Sequence, residues 1–354
     1  MDRKLRRKNA VLRREPGKGD SVADPVMESP PWRTTDEGNQ RRIGVEMEFA
    51  GIDLMTAAEA VRETLGGETA WHDAHSIKVT GTRFGTFEVE LDSDYVHPGY
   101  RQPTEGDLIE RAAQWARAAI GDVIELWMPR EIVTPPIPLD NLPDLNPLYE
   151  RLRSLGAVGT DASWRYAFSV QLNPEVPSLA CGRVLAIFRA YLLMSAWLRA
   201  TTARNLLRRA LPFAQPFPRD YVRAVLEAGY EPDWPGFIDD YLIANPTRNR
   251  DLDLCPLFAH IDEQRVRAHL GDPRIKPRPT FHYRLPDSRI EDPNWSIITE
   301  WNRWVAVERL AADANAVNER ALTFTRHFID SPESEWVQET SIWLERHPGV
   351  LGSG

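Results

Sequence analysis

Two stretches of strand character, residues 42–49 and 86–91, each carry a Glu-x-Glu pair inside an apolar, β-prone run. Side chains alternate faces along a strand, so Glu46 and Glu48 must share one surface, and Glu88 and Glu90 must share one. A surface holding two carboxylates is costly unless it is solvated or neutralised, and hard oxygen-seeking cations such as Mg²⁺ are one partner that neutralises it. The polar outer side of an ordinary amphipathic strand explains either pair taken alone.

The chain has 354 residues, 42% hydrophobic and 27% charged, enough for one large or two ordinary globular domains. Its longest apolar stretch, residues 184–200, is interrupted by Arg189 and Arg199 and flanked by Arg183 and Arg204. That pattern predicts a buried helix rather than a membrane span. Cys181 and Cys255 are the only cysteines, without metal-type spacing, and no signal-peptide pattern is seen; the expectation is a cytoplasmic protein with packed thiols and no structural disulfide. A net charge of −9 argues against nucleic acid as the main partner. The basic residues that begin the chain, among them Arg3, Lys4, Arg6, Arg7 and Lys8, read with the Pro-rich segment after them as a disordered tail and linker over residues 1–40.

From residue 41 to 354 the pattern predicts one catalytic-sized domain with helical insertions around residues 178–278. Thr56 and Glu59 have capping-box spacing and Gly66-Gly67 closes that helix. Further helices are expected at residues 104–121, through Leu145, Leu148 and Leu152 to Gly156, at 178–210, at 296–320, and after a cap at Ser331. Strands are expected at residues 76–80, 83–91, 163–173 and 280–285, with an extended or hairpin-like stretch over 122–134 that stops at Pro135-Pro136. Strands joined by both hairpins and helices, with no Gly-rich phosphate loop, predict an α+β fold whose sheet is mostly antiparallel and flanked by helices.

The polar strand residues form an ordered series of Glu46, Glu48, Glu88, Glu90, Glu131, Ser169, Gln171, His282 and Arg284. Carboxylates converging on one sheet face repel, so convergence would call for two or more divalent cations, and Arg284 on the same face would suit phosphate. With these residues the chain resembles the putative amidoligase family, carboxylate-amine ligases related to glutamine synthetase and glutamate-cysteine ligase. Gly44-Val45-Glu46-Met47-Glu48-Phe49 is similar to that family's opening Gly-x-Glu-x-Glu strand. Glu131-Ile132-Val133-Thr134-Pro135-Pro136 is similar to its Glu-Leu-Val-Ser-Pro-Pro segment, and Phe281-His282-Tyr283-Arg284 to its late Glu-x-Arg strand. The order holds over roughly residues 41 to 325.

The resemblance implies a glutamine-synthetase-like curved, mostly antiparallel sheet and an ATP-dependent reaction using Mg²⁺. A substrate carboxylate would attack the γ-phosphate, and an amine would then displace phosphate from the acyl phosphate. It implies metal roles for Glu46, Glu48, Glu88, Glu90 and Glu131, and transition-state stabilisation by Arg284. Where the family places a His-x-His or His-x-Asn strand, this chain has Ser169, Gln171 and Asn173; where it has the Glu of Glu-x-Arg, this chain has His282. The imidazole lost from one strand would be regained on its neighbour, adding Gln171 and His282 to the metal set, with either a preference shifted toward Mn²⁺ or one metal position lost.

Outside the strands, Arg248 and Arg250 in a loop after Pro246, with Arg204, are the best nucleotide or substrate contacts. His72, Asp73 and His75 invite a metal reading, but the loop around them offers no further ligand. Trp295, Trp301 and Trp304 read as core. The expected partners are a small-molecule or peptide carboxylate and an amine, with oligomeric state left open. A catalytically silent binding protein and a guanidino phosphotransferase, which shares the sheet architecture, are the alternative readings.

Overall fold

The computed structural model describes residues 25–91, 128–160, 168–202 and 214–352. The basic tail, the helix expected at residues 104–121, the first part of the extended segment at 122–127, and Arg204 lie outside the described residues. Within them the polypeptide builds a nine-stranded sheet. Its strands are β1 (Arg42–Phe49), β2 (Glu68–Asp73), β3 (Ser76–Thr82), β4 (Gly85–Leu91), β5 (Arg130–Val133), β6 (Ile137–Pro138), β7 (Val170–Pro174), β8 (Leu252–Asp253) and β9 (His282–Tyr283). Their order across the sheet is β2-β3-β4-β5-β1-β7-β9-β8, with β6 pairing the start of β1, and all these pairings are antiparallel. The α+β expectation with a mostly antiparallel sheet therefore holds. β2 was not expected, and of the strand expected at 280–285 only two residues join the ladder.

One sheet face is apolar. Ile43, Val45, Met47 and Phe49 of β1, Phe87 and Val89 of β4, Ile132 of β5, and Val170 and Leu172 of β7 are all buried. Each such side chain contributes about 1.5–3 kcal/mol by leaving water. Helix α1 (Leu54–Leu65) covers this face beside β3 and β4, and packs on α2 (Asn146–Ser154). Proline ends β5, because Pro135 has no N–H to extend the ladder; Thr134 closes it instead, its Oγ1 accepting the Val45 amide at 2.9 Å.

Helix α3 (Cys181–Thr202) is long and apolar enough to cross a membrane by length and composition, yet it packs against later helices and most of its residues are buried. Aromatic side chains fill its surroundings: Phe188 packs edge-on to Phe217, and Tyr191 edge-on to Tyr283. Cys255 is buried and Cys181 half-buried, the latter pushed up to about 11 by burial, as packed thiols should be.

Three helix boundaries differ from the sequence pattern. Helix α1 begins before Thr56, because Asp53 takes the cap, accepting from the Thr56 amide at 2.7 Å and its hydroxyl at 2.8 Å; Glu59 turns instead to Arg62 and Thr69. The helix expected over 296–320 is two helices, Ile297–Ala312 and Ala314–Thr323. They are separated at Asp313, whose carboxylate caps the second by accepting from the Ala316 amide at 3.0 Å. The helix Glu333–Arg346 starts at Pro332 without a side-chain cap from Ser331. Trp301 and Trp304, on the first of these helices, are fully buried, as expected of core residues.

Candidate active site

The opposite face of the central strands is polar, and strand register arranges it. Glu48 of β1 pairs with Glu131 of β5, and Glu131 pairs on its other side with Glu90 of β4. Three carboxylates thus stand in one line across three adjacent strands, with neighbouring strands about 4.8 Å apart. The next line runs Glu88, Val133, Glu46 and Gln171, so Val133 separates Glu88 from Glu46. All four glutamates on β1 and β4, and Glu131, are half-buried.

Each carboxylate has a different setting. The Ser169 amide donates to Glu48 Oε2 at 2.7 Å. Asn173 Nδ2 donates to Glu46 Oε1 at 2.7 Å. Glu88 leans toward β3, where Ser76 Oγ donates to it at 3.0 Å and Lys78 Nζ lies 4.0 Å away. The alignment is therefore one of strands; among the described residues no three His, Cys, Asp or Glu side chains are drawn together into a ready metal set. The donors are nonetheless hard oxygens, the chemistry that Mg²⁺ selects.

Beyond β7 the face changes sign. Arg284, just past β9, is largely buried and pairs with Asp253 Oδ2 at 2.9 Å. Burial opposes its charge, but Asp253 and then Glu46 outweigh that and hold the guanidinium firmly protonated. Glu46 is therefore within its field. Asp253 is fixed in turn by the Cys255 amide, which donates to Oδ1 at 2.9 Å.

His282 is buried next to them. Burial, then Arg284, Arg278 and Arg248, push its pKa well below the ordinary histidine range, so the imidazole is neutral. Gln171 Nε2 lies 3.1 Å from its Nδ1 and also donates to Asn173 Oδ1 at 2.8 Å.

The expected arginines separate. Arg248 makes no hydrogen bond or ion pair among the described residues, and Arg284 and Asp253 are among its charged neighbours. Arg250 is committed to the fold, donating to the Pro216 carbonyl at 2.6 Å with its guanidinium 5.9 Å from the Phe217 ring centre. His72 and Asp73 end β2 and His75 lies in the exposed turn that follows, where Asp73 accepts the His75 amide.

Sequence reading left Asn173 and Asp253 out of the site. Asn173 was legible, since Ser169, Gln171 and Asn173 alternate onto one face; Asp253 sits on a two-residue strand too short to announce itself.

A cavity of about 400 Å³ opens elsewhere, lined by Leu192, Arg199, Phe217, Val222, Phe328 and Trp336 among others. Its buried cation Arg199 is already paired, with Asp251 and Glu333, and no carboxylate series lines it, so the chemistry points to the sheet face rather than to this hollow.

The family described as putative amidoligase enzyme matches the chain over residues 39–306. That span takes in the whole polar face, from β1 through Arg284. No curated protein matches the chain.

Proposed function

Because the chain belongs to this family of putative amidoligase enzymes, we propose that it is an ATP-dependent carboxylate-amine ligase acting on the polar face of the sheet, arranged as in glutamine synthetase. One observation carries the reading: the register that lines up Glu90, Glu131 and Glu48 on adjacent strands, flanked by Glu46 and ending at Arg284. A run of acidic oxygens beside a buried guanidinium suits a nucleotide triphosphate carried with divalent cations, because the two halves neutralise opposite charges.

Mg²⁺ or Mn²⁺ would be held by Glu48, Glu131 and Glu90, with Glu46 and the side-chain oxygen of Gln171 beside them, and would supply charge neutralisation of the phosphates. The remaining work falls to the chain. Arg284, positioned by Asp253, would bind the oxygens of the transferring phosphoryl group; Arg248 would hold a phosphate or carboxylate from the loop side. An oxygen of the substrate carboxylate forms a bond to the γ-phosphorus as the bond to the ADP oxygen breaks. The amine nitrogen then forms the amide bond to the acyl carbon, phosphate leaves, and the nitrogen gives up its proton. Glu88, engaged by Ser76 and Lys78, would shape the edge of the face rather than the reacting centre.

The test is thermal stabilisation by ATP with and without Mg²⁺ or Mn²⁺, followed by ADP release with a panel of amino acids and amines. Metal-dependent stabilisation and acid-plus-amine-dependent ADP release are expected. ATP binding indifferent to metal, or none, would overturn the reading.

A further inference from the structure

We infer that His282 is a hydrogen-bond donor to an oxyanion of the substrate rather than a cation ligand, its tautomer fixed by a relay that begins at Glu46. The inference rests on the proposed use of this face for an anionic substrate, and it follows from counting donors and acceptors. A carboxylate only accepts, so Asn173 must present its Nδ2 to Glu46, as it does at 2.7 Å. That turns Asn173 Oδ1 toward Gln171, and an amide oxygen also only accepts. Gln171 must therefore present Nε2, at 2.8 Å.

The second N–H of that same nitrogen is aimed at His282 Nδ1 at 3.1 Å. Nδ1 must then be the lone-pair nitrogen, and the proton sits on Nε2. Every link is dictated by the one before it, and the first is set by a group that has no donor.

A cation on Nε2 would need the other tautomer. Nδ1–H would face the Gln171 N–H; turning the Gln171 amide would set its oxygen against Asn173 Oδ1; turning Asn173 would set its oxygen against the Glu46 carboxylate. Each remedy breaks a hydrogen bond and creates a repulsion.

As arranged, His282 Nε2 is buried with no hydrogen-bond partner among the described residues, an unfavourable state for a donor that a ligand oxygen would relieve. Three arginines, Arg284, Arg278 and Arg248, act on His282 against one carboxylate, its cross-strand partner Asp253, which is already paired with Arg284, so an anion is attracted to this corner and a metal ion repelled. The relay also leaves Gln171 Oε1 without a hydrogen bond among the described residues.

The decisive measurement is ¹⁵N imidazole NMR on the full chain at neutral pH, with the His282 signal assigned by its loss in His282→Gln. The Nε2–H tautomer is expected, and Asn173→Leu should release it into a mixture. Pyrophosphate and glutamate are then titrated separately without metal, to tell a phosphoryl source from a carboxylate source.

Whichever oxyanion His282 meets should shift its resonance and bind His282→Phe, which keeps a ring but has no donor, roughly tenfold more weakly, the loss of about one hydrogen bond, while Mn²⁺ affinity stays unchanged. An Nδ1–H tautomer, or lost Mn²⁺ affinity with oxyanion binding intact, overturns the inference, as does a wild-type chain that binds neither oxyanion. If neither His282 variant folds, the wild-type tautomer and its response to oxyanion, assigned through ring couplings, decide alone. Absence of ATP turnover alongside the expected tautomer and oxyanion response would overturn the ligase reading and leave this inference in place.

Discussion

Glu46 and Glu48 sit two residues apart on one strand and face the same way, yet they meet different neighbours. Glu46 receives the Asn173 amide and lies in the field of Arg284, whereas Glu48 receives a backbone amide and lines up with Glu131 and Glu90. Glu48 is thus the carboxylate at the middle of the acidic side and Glu46 the one at its boundary with the basic side. Glu48→Ala is expected to abolish ATP turnover while leaving the circular dichroism spectrum and the overall melting behaviour close to wild type. Turnover retained in that variant would place the acidic centre elsewhere.

At the scale of an element, the chain's helices are set by short polar residues rather than by apolar period alone. Asp53 shows this for the first helix. Partial burial pulls its carboxyl upward, but the amide and hydroxyl of Thr56 outweigh that and hold it below the usual aspartate range. The folded state therefore binds this proton less readily than the unfolded chain. Its contribution is complete above about pH 4, the unfolded aspartate range, and is lost as pH falls through the lower folded-state value. Asp53→Ala should lower stability by about 1 kcal/mol at pH 7, and urea unfolding of the two proteins should show that gap shrinking at pH 3. A gap that widens on acidification would mean that the cap bond is not the source. Asp313 is the same device placed mid-pattern, which is why one apolar period became two helices.

At the scale of the molecule, the start of the central strand is tied to the C-terminal helices by a buried ion pair. Arg41 and Glu308 are both fully buried and bonded twice, at 2.8 and 2.7 Å; Trp304 Nε1 adds a bond to Glu308, and Arg41 also caps the carbonyls of Trp32 and Glu175. Glu308→Ala leaves an uncompensated guanidinium in the interior and should cost about 3–5 kcal/mol in chemical denaturation. Replacing both residues with apolar ones of similar volume should restore much of that loss, since the desolvation penalty disappears with the charges. A Glu308→Ala variant with near wild-type stability would show that water or a rearranged partner takes over.

Local pattern was enough for the two Glu-x-Glu faces, the antiparallel α+β class, the tryptophan core and the glycine stop of the first helix at Gly66, because each depends on alternation, periodicity or one residue's backbone freedom. Tertiary structure decided which glutamates stand side by side, since register is a relation between strands far apart in sequence. It also decided that Arg250 serves the Pro216 loop, that Arg284 is held by Asp253, and that Glu46, Asn173, Gln171 and His282 form one polarised chain. A residue's type lists the hydrogen bonds it can make; only the packed fold determines which donor meets which acceptor, and so where a histidine keeps its proton.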